Sequence, residues 1–531
     1  MPHSKISVSF PAAMPHYLGL DSSTQSLSAL VIDTDTGRIV LDESLNFGKE
    51  LPEYHSPHGF LENEDPSVRH SNPLMWVAAL DRLLARVQGQ GFDWSSVAAI
   101  SGAGQQHGSV YLNTPIANAP AWSTDRALAD QVRPLLSRST APIWMDSSTA
   151  QECREIAQAL GGDAEMVRLT GSRAIERFTG AQIRKFYKQE PAQYQATREI
   201  HLVSSFLAAL LTHSSAPIDF GDGAGMNLLN LSTLEFDPRL LAATAPELGP
   251  KLRKPVPSST RVGELASYFV EKYGFKAGTP VFAFTGDNPS SLVGMGATQP
   301  GCAVISMGTS DTVFAAMSSP LTDPHGYGHV FGNPAGGFMS LICFANGSLA
   351  RERVAERVKL DWPAFERGIL QETRPGNGGA LLLPYFVPEM TPKLLSPEPV
   401  ALGDDEFVAF RSPARAARAV VEAQALAMQR YSDWIGEKPS VILATGGASR
   451  NRGILQVVAD VFGAEVRTLE TGNASALGGA LRAAQAAGAA SWPALYKAFA
   501  ATRSDFVAKP NPAANYSELR QRFATEVDRL L

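Results

Sequence analysis

The amino-acid sequence predicts an α/β protein made of two related domains with a cleft between them. The chain has 531 residues, which is more than the roughly 250–300 at which one hydrophobic core usually stops growing. An apolar strand, a turn of Gly, Asp, Ser or Thr, and a second apolar strand occur near residue 20 and again near residue 307. Two occurrences so far apart indicate two similar domains and not a short-period repeat array.

The first domain is predicted to begin near His16 with a β-hairpin and a third strand beside it. The strand YLGLDSST is followed by SLSALVID, and an Asp/Gly turn (DTDTG) leads into RIVLDESLNF. Apolar runs separated by such turn residues are typical of antiparallel neighbours. Helical spacing then predicts a helix over Pro73–Val87, and VAAISGAGQQHGSVYLN predicts a strand, a Gly-rich turn and a strand.

The second half repeats this order. VFAFTGDNPSSLVG is an apolar strand that closes on Gly-Asp-Asn, and CAVISMGTSDTVFAAM is a strand, a polar turn and a strand. VILATGGASRNRGILQVVADVFGAEVR predicts a strand, a Gly-Gly turn, a helix and a strand. We therefore expect an N-terminal domain over 1–284 and a C-terminal domain over 285–531. Residues 372–405, rich in Gly and Pro, predict an irregular excursion and not a third domain.

Composition excludes several classes of protein. Hydrophobic residues make up 44% and charged residues 18% of the chain, which is ordinary for a globular protein. A net charge of −6 gives no basic field to attract nucleic acid or anionic lipid. Three widely spaced cysteines favour neither a metal cluster nor a disulfide framework. No apolar run is long enough to span a membrane, and residues 1–17 predict a short disordered lead without a signal peptide, so we expect a cytoplasmic location.

Two turns of similar chemistry are candidates for binding phosphate. One is Asp21-Ser22-Ser23-Thr24, and the other covers Ser306–Thr312 with Gly308 and Thr309 at its centre. Hydroxyl groups and turn amides can cradle phosphate oxygens, and an Asp at a strand end can hold Mg²⁺ through water. A nucleotide polyphosphate held between the two turns explains why both halves carry one. The alternative is a pair of ordinary hairpins in which such residues serve the turn itself.

A third candidate is the Gly446-Gly447 pair, which precedes a helix predicted to begin at Arg452. Paired glycines let the backbone approach a flat ligand, and a helix N-terminus can receive phosphate. The alternative is a strand–helix turn that needs glycine for close packing. The chain contains neither the G-x-G-x-x-G fingerprint of dinucleotide-binding folds nor the G-x-x-x-x-G-K-[ST] loop, so the P-loop route to ATP is absent.

The segment Gly286-Asp287-Asn288-Pro289 is a candidate catalytic site. Asp287 follows an apolar strand, and ligands of α/β sheets bind at strand ends. A carboxylate there could accept a hydroxyl proton as a general base, and Asn288 could hold a neighbouring hydroxyl. The alternative is that Asp287 caps the helix beginning at Pro289, because Pro is favoured in the first helical turn.

The turn Gln105-Gln106-His107-Gly108-Ser109 is the last candidate. Amides and an imidazole suit hydrogen bonds to sugar hydroxyls, although a lone His is more often structural. No Cys or His stands at metal-ligand spacing around His107, so zinc is not indicated.

Seven segments, in this order along nearly the whole chain, resemble the FGGY carbohydrate kinases, most closely the eukaryotic-type members that act on xylulose. LGLDSSTQS and VISMGTSDTVF look like the two phosphate loops of the family, and SGAGQQHGSVY looks like its substrate turn. FTGDNPSSLVGMG looks like the catalytic segment and ILATGGASRNRGILQVVADVFGAEV like the adenosine motif. WMDSSTAQEC and TGSRAIERFTGAQI are similar to signatures of the same branch. AQIRKFYKQEP and residues 372–405 match the family pattern only loosely or not at all.

The resemblance implies two ribonuclease-H-like domains of the actin type, the first binding sugar and the second most of the nucleotide. It implies ATP-dependent, Mg²⁺-assisted phosphorylation of D-xylulose on O5, with Asp287 as the proton acceptor. The residues implied to hold the sugar are His107, Arg177, Asp287 and Asn288. Those implied to hold ATP are Asp21, Ser23, Thr24, Gly308, Thr309, Trp362, Gly446, Gly447 and Asn451, with Asp21 also placing Mg²⁺. For Trp362, a buried core side chain is the alternative.

Three rival functions differ in what they require. A kinase of the same family acting on ribulose, gluconate or glycerol would carry a different substrate turn. A non-catalytic ATP-driven switch protein has no need of the Asp287-Asn288 pair. A silent xylulose-binding regulator would have lost Asp21, Asp287 or Gly308, and all three are present. The expected partners are a small-molecule sugar and ATP, without nucleic acid or membrane, and the protein is expected to be a monomer or homodimer.

Overall fold

The computed structural model describes residues 15–469, 472–500 and 502–531. The predicted disordered lead falls almost wholly on residues 1–14, which lie outside the described residues. In the described part, the strands are β1 (His16–Ser22), β2 (Ser26–Asp33), β3 (Arg38–Asn46), β4 (His70–Ser71), β5 (Val97–Gly104), β6 (Ser109–Leu112), β7 (Ala141–Pro142), β8 (Glu199–Leu202), β9 (Ile218–Asp219), β10 (Leu229–Asn230), β11 (Glu235–Phe236), β12 (Pro255–Val256), β13 (Arg261–Glu264), β14 (Pro280–Phe282), β15 (Thr285–Gly286), β16 (Cys302–Met307), β17 (Asp311–Met317), β18 (His329–Gly332), β19 (Phe338–Phe344), β20 (Leu381–Leu383), β21 (Val400–Leu402), β22 (Val441–Thr445), β23 (Glu465–Leu469) and β24 (Thr502–Ala508).

The α-helices of the same part are α1 (Phe47–Glu50), α2 (Pro73–Gly89), α3 (Leu128–Val132), α4 (Ala150–Leu160), α5 (Asp163–Thr170), α6 (Thr179–Gln189), α7 (Pro191–Ala196), α8 (Val203–Thr212), α9 (Phe220–Ala224), α10 (Pro238–Thr244), α11 (Ser267–Tyr273), α12 (Asp287–Gly294), α13 (Ser348–Arg357), α14 (Trp362–Arg367), α15 (Asp405–Val408), α16 (Pro413–Ser432), α17 (Arg452–Phe462), α18 (Ala474–Ala486), α19 (Trp492–Phe499) and α20 (Ser517–Asp528). A π-helical turn covers Gly368–Glu372, and short 3-10 turns lie at Pro52–Tyr54, Trp94–Ser96, Ile116–Asn118, Arg133–Leu135, Gly249–Lys251, Asn377–Gly379, Asp433–Ile435 and Gly447–Arg450. No helix of the described part is both long enough and apolar enough to cross a bilayer.

Two seven-stranded sheets carry the fold, and their central strands have the same arrangement. In the first sheet the order is β13-β14-β5-β1-β2-β3, with β15 also paired to β5. In the second it is β18-β19-β17-β16-β22-β23-β24. In the first sheet β1, β2 and β3 run antiparallel to their neighbours, and β1 also pairs in parallel with β5. In the second sheet β16, β17 and β19 run antiparallel in the same way, and β16 also pairs in parallel with β22. The predicted α/β class is confirmed, and the repeated motif of the sequence is a repeated topology.

The first strands and the first long helix lie where the sequence predicted them. The hairpin near His16 is β1 and β2, and β3 is the third strand beside it. The helix predicted over Pro73–Val87 is α2, whose apolar side packs into the core of the first sheet. Asn72 caps it by accepting a hydrogen bond from the Leu74 amide, and Pro73 occupies the first turn, where its missing N–H costs nothing.

Two crossing helices, α12 and α18, join the halves of the molecule. Although α18 comes late in the chain, it packs on the first sheet, with Leu477 and Leu481 among Tyr17, Leu30 and Phe282. The helix α12 crosses α18 so closely that a Cβ at Gly478 would collide with the Ser290 carbonyl oxygen. The predicted division at 284/285 stays a prediction: the first sheet uses strands from 16–286 and the second from 302–508.

The excursion at 372–405 is largely irregular, as expected, but it is not a loose loop. Its strand β20 pairs with β21, and Leu381, Leu382 and Leu383 are buried in the core of the second sheet. The strand β20 itself contacts α16 and α20 of the same half. The excursion is therefore a built part of the C-terminal half.

Candidate active site

Asp287 stands where the first sheet ends and α12 begins. The short strand β15 pairs with β5 and delivers Gly286 as the N-cap residue of α12, so Asp287 is the first helical residue. Its side chain does not cap the helix, and the capping alternative is therefore wrong. The carboxylate Oδ1 instead accepts hydrogen bonds from the amides of Asn288 (2.9 Å) and Gln106 (3.3 Å).

Burial raises the pKa of Asp287 to about 6, although these amide hydrogen bonds oppose the shift. Desolvation disfavours the charged form of a carboxylate, whereas hydrogen bonds to that form favour it. The result is a carboxylate that is charged at neutral pH and has a higher proton affinity than an exposed Asp. A general base works best when its pKa lies near the working pH.

Asn288 and Gln106 connect the helix start to the Gln105–Ser109 turn. The side-chain Nδ2 of Asn288 donates to Gln106 Oε1 (2.8 Å) and to Asp287 Oδ1 (3.2 Å). Among the described residues, the buried Nε2 of Gln106 has no hydrogen-bond partner, and neither has either side-chain polar atom of Gln105. Because buried amides are nearly always paired, these atoms are free to receive the hydroxyl groups of a ligand.

His107 takes a backbone conformation that few residues with a Cβ adopt, with φ of 71°. Its Nδ1 lies 2.7 Å from the Gly225 carbonyl oxygen, which can only accept, so Nδ1 carries the proton and Nε2 keeps its lone pair. The ring stacks on Phe178 with centroids 4.2 Å apart. Burial, reinforced by the charge of Arg177, holds the pKa of His107 well below its usual range. The imidazole is therefore neutral and oriented.

Arg177 reaches toward the same region from the loop before α6. Its Nη2 lies 3.5 Å from Nε2 of His329, a β18 residue whose Nδ1 lies 3.2 Å from the Ser172 hydroxyl. Arg177 also lines a cavity of about 280 Å³ together with Trp144. Sequence reasoning missed His329, because nothing near it in the chain marks it as a neighbour of Arg177.

Two further buried acids, Asp219 and Asp222, were also missed. Asp219 accepts hydrogen bonds from the Gly221 amide (2.7 Å) and from the hydroxyls of Ser258 and Thr285. It thereby fixes Thr285, two residues before Asp287. Burial raises the pKa of Asp222 well above its usual range, with the charge of Asp219 adding to the shift. The segment IDFGDGAG holds both acids, but no spacing rule assigns them to a site.

Asp21 is the next-to-last residue of β1 and lies within electrostatic reach of Asp287. Its Oδ1 is buried, and no residue in the described part of the chain hydrogen-bonds to it. Burial raises the pKa of Asp21 to about 7, and the charge of Asp287 contributes to the shift. The two carboxylates are thus close enough to influence each other, although they belong to motifs far apart in the chain.

Part of the polar chemistry of the first hydroxyl turn serves the hairpin between β1 and β2. The Ser23 hydroxyl donates to the Ser26 carbonyl (3.1 Å), as an ordinary turn would require. The Thr24 hydroxyl accepts from the Trp144 indole N–H (2.7 Å), which leaves its own proton available. Neither residue lines the cavity of about 680 Å³ that lies beside the second hydroxyl turn.

Asp21 fits a magnesium ion held mainly by phosphate and water. Among the described residues, no group of three or more His, Cys, Asp or Glu side chains could hold a metal ion. Mg²⁺ commonly binds through one or two carboxylates plus substrate phosphates and keeps several waters. The unpartnered oxygen of Asp21 meets that requirement and would be neutralised by the ion.

A cavity of about 680 Å³ opens between the second hydroxyl turn and α17. That volume lies within the range typical of small-ligand sites, roughly 300–1,000 Å³. Five residues predicted to hold ATP line it together: Gly308, Thr309, Trp362, Gly447 and Asn451. Trp362 is 46% exposed, so the alternative of a buried core tryptophan is wrong.

The two glycines of the Gly446-Gly447 pair have different surroundings. Gly446 has φ of 87°, and a Cβ there would collide with the Met307 carbonyl oxygen, so this glycine serves close packing. Gly447 has open space where its Cβ would be and faces the cavity. Asn451 caps α17 by accepting a hydrogen bond from the Ile454 amide (3.0 Å) while also lining the cavity.

The chain matches two family models and close relatives over its length. Residues 133–294 match the N-terminal domain and 303–487 the C-terminal domain of the FGGY family of carbohydrate kinases. A curated relative, the xylulose kinase of Rattus norvegicus, is 41% identical over 97% of this chain and 97% of its own.

Solved structures agree in fold at lower identity. A xyloylose kinase from Brucella ovis superposes with a TM-score of 0.79 at 21% identity, covering 97% of this chain and 99% of its own. A gluconate kinase from Lactobacillus acidophilus gives a TM-score of 0.78 at 19% identity, covering 97% of this chain and 98% of its own. The expected two-domain, actin-type architecture is confirmed. By its matched domains and its full-length relatives, this chain belongs to the FGGY family of carbohydrate kinases.

Proposed function

We propose that this protein transfers the γ-phosphoryl group of ATP to O5 of D-xylulose, giving ADP and D-xylulose 5-phosphate. The position of Asp287 carries the proposal. Its carboxylate is joined by hydrogen bonds to the Gln106 turn on one side and lies within electrostatic reach of Asp21 on the other. The full-length likeness to a rat xylulose kinase supports the choice of sugar.

The nucleotide is proposed to occupy the 680 Å³ cavity. Trp362, exposed at its edge, would stack on the adenine, and the two-residue turn at Gly308 and Thr309 would face the phosphates. Gly447 and Asn451 would lie against the adenosine, with Gly446 holding their turn in place. Asp21, Ser23 and Thr24 would face the phosphate end, and Mg²⁺ bound near Asp21 would neutralise charge on the transferring group.

The sugar is proposed to lie between the Gln106 turn and the start of α12. The neutral Nε2 of His107 would accept a hydrogen bond from one sugar hydroxyl, while Asn288 and Arg177 would donate to others. Asp287 would remove the proton of the 5-hydroxyl as the O5–P bond forms and the bond to the ADP oxygen breaks. The carboxylate of Asp287 keeps the proton, and the electron pair of the broken bond leaves with ADP.

Water must be excluded while ATP and sugar are bound, because water would otherwise take the phosphoryl group. We infer that the halves over 1–284 and 285–531 close on the substrates, with motion at the crossing of α12 and α18. Binding of sugar by the first half and nucleotide by the second would make closure depend on both.

Sugar phosphorylation is expected to lose activity as the pH falls through about 6. Burial raises the pKa of Asp287 to about 6, and only its deprotonated form accepts a proton. Below that pKa, kcat/KM for the sugar should fall about tenfold per pH unit. The profile of initial rates between pH 5 and 8, measured with stability checked at each pH, tests this. A flat profile down to pH 5 would contradict the assignment.

Replacement of His107 by Ala should raise KM for the sugar about tenfold or more and leave KM for ATP unchanged, because one oriented acceptor is lost from the sugar site alone. Steady-state kinetics with each substrate varied in turn provide the measurement. His213→Ala is a matched control, since His213 also has positive φ but lies half-buried at the C-cap of α8, where its Nε2 is 3.1 Å from the Pro120 carbonyl oxygen. Equal effects of His107→Ala on both KM values would place His107 elsewhere.

The choice among sugars is tested by coupled ADP release over a panel of ketoses, aldoses and polyols. D-xylulose is expected to give the highest kcat/KM. The structural likeness to a gluconate kinase makes another substrate of the same family the second candidate, because the shared fold does not separate them. A higher kcat/KM for gluconate, ribulose or glycerol would replace D-xylulose in the proposal and leave the kinase chemistry in place.

A further inference from the structure

The excursion at 372–405 contains a buried acid that none of the proposed catalytic steps uses. Glu389 is 5% exposed. Its Oε1 accepts from the Ala345 amide (2.7 Å), and its Oε2 accepts from the Asn346 amide (3.1 Å) and from Asn346 Nδ2 (2.9 Å). The amides of Met390 and Thr391 also donate to Oε1. A buried carboxylate surrounded by N–H donors is a strong anchor, because hydrogen bonds to charged groups are among the strongest in proteins.

The segment that Glu389 holds lies directly against the second hydroxyl turn. The Ser348 amide donates to the Gly308 carbonyl (2.9 Å). A Cβ at Gly347 would stand 2.7 Å from the Thr309 carbonyl oxygen and 2.8 Å from the Asp311 amide nitrogen. Residues 345–348 therefore form the floor of this turn, and a shift of the floor moves the turn.

A second buried side chain also holds residues 345–348, through their carbonyl groups and not their amides. Gln424 Nε2 donates to the carbonyls of Asn346 (2.7 Å) and Gly347 (2.9 Å), and its Oε1 accepts from Arg351 Nη1 (2.9 Å). Arg351 forms a bidentate pair with Asp311, with distances of 2.8 and 3.0 Å. The network thus reaches from the excursion through the floor to Asp311, the first residue after the turn.

We propose that Glu389 is a positioning residue for the nucleotide-phosphate turn at 308–310, and that the excursion exists in part to supply it. This inference rests on the proposed function, which places the ATP phosphates at that turn. Glu389 touches no substrate. It fixes the backbone of 345–348, and that backbone fixes the carbonyls of Gly308 and Thr309, so that the turn amides point where the phosphates arrive.

The variant Glu389→Gln tests this directly. The amide that replaces the carboxylate is nearly isosteric, but its NH₂ must face N–H donors and one acceptor is lost. KM for ATP is expected to rise about tenfold, because small displacements of positioning groups are costly to binding and rate. KM for the sugar should be unchanged, since the sugar is proposed to lie between the Gln106 turn and the start of α12, whereas Glu389 holds residues 345–348. A merely structural role would move both values or neither.

Glu422→Gln is the matched control. Glu422 is as deeply buried and tethers the beginning of the same excursion, accepting from the Gly376 amide (3.0 Å), Arg418 Nη1 (3.1 Å) and the Tyr516 hydroxyl (2.9 Å). Its hydrogen bonds do not include the floor. Glu422→Gln is expected to lower Tm without changing KM for ATP. An equal rise in KM for ATP in both variants would show general loosening of the domain and overturn the proposal.

Two more variants make the result decisive. Thr309→Ala alters the turn itself and should raise KM for ATP. If it does and Glu389→Gln does not, the inference is wrong while the proposed nucleotide site stands. If Thr309→Ala has no effect, the proposed nucleotide site fails and the inference fails with it. Should Glu389→Gln not fold, Gln424→Met removes the two hydrogen bonds to the carbonyls of residues 346 and 347 instead. A rise in KM for ATP, with sugar KM constant, supports the proposal, and unchanged KM for ATP overturns it.

Discussion

Replacing Asp287 with Asn is expected to lower kcat about 10³-fold, the scale of a lost general base. The amide cannot accept the sugar proton, but it keeps an oxygen for the Asn288 and Gln106 amides, which now donate to Oδ1 of Asp287. A neutral amide is also cheaper to bury than a carboxylate, so the fold should not be weakened. ATP affinity should be nearly unchanged, because Asp287 does not line the nucleotide cavity.

Initial rates of ADP release and titration calorimetry with ATP measure the two effects of Asp287→Asn. The control is Asp460→Asn in α17, where the carboxylate only accepts from the Asn511 amide (2.8 Å) and Gln456 Nε2 (2.8 Å). That variant should keep wild-type kcat. Near-wild-type kcat in Asp287→Asn would remove Asp287 from the reaction.

Replacing Asp21 with Asn should lower kcat about 10²-fold, as expected for loss of one electrostatic contact at a transferring phosphoryl group. The Oδ1 of Asp21, which is buried and has no hydrogen-bond partner among the described residues, is the oxygen that we expect to meet the proposed Mg²⁺–phosphate group. Loss of its charge should also shift the Mg²⁺ concentration needed for half-maximal rate upward. Rates measured against free Mg²⁺ at saturating ATP and sugar report both changes.

Asp33→Asn controls for effects on the first hairpin. Asp33 ends β2, is buried, and accepts from the amides of Asp35 (2.9 Å) and Thr36 (3.2 Å), far from the cleft end of the hairpin. The Asp33→Asn variant should be somewhat less stable than the wild type but should keep the wild-type dependence of the rate on Mg²⁺. If Asp21→Asn retains wild-type kcat and the wild-type Mg²⁺ midpoint, Asp21 does not place the ion.

Local sequence signals predicted much of the fold. The apolar runs that end in Asp, Ser, Thr or Gly are strands in the structure, because a short apolar run and the turn residues that bound it are both local properties of the sequence. The repeated strand–turn–strand pattern correctly indicated two related sheets, and the helix α2 followed from the helical spacing of its apolar residues. The site residues found from sequence, such as Asp287 and His107, lie in motifs whose chemistry is contiguous in the chain.

What the sequence did not reveal depends on contacts between distant segments. Asp219 positions the residues before Asp287 from a strand of a different small sheet. His329 meets Arg177 only because β18 packs against the first half. The packing of α18 on the first sheet, and the hydrogen bonds from Glu389 to the segment beneath the second hydroxyl turn, are likewise contacts between distant parts of the chain. Periodicity reports which face of an element is buried but not what it is buried against.

The central claim is tested most directly by following the γ-phosphoryl group. With ATP labelled with ³²P at the γ position and D-xylulose present, purified protein should move the label into a sugar phosphate in equal amount to the ADP formed. Asp287→Asn should form almost none of that product while still binding ATP. Label released as inorganic phosphate, or sugar phosphate formed equally well by the variant, would contradict the account.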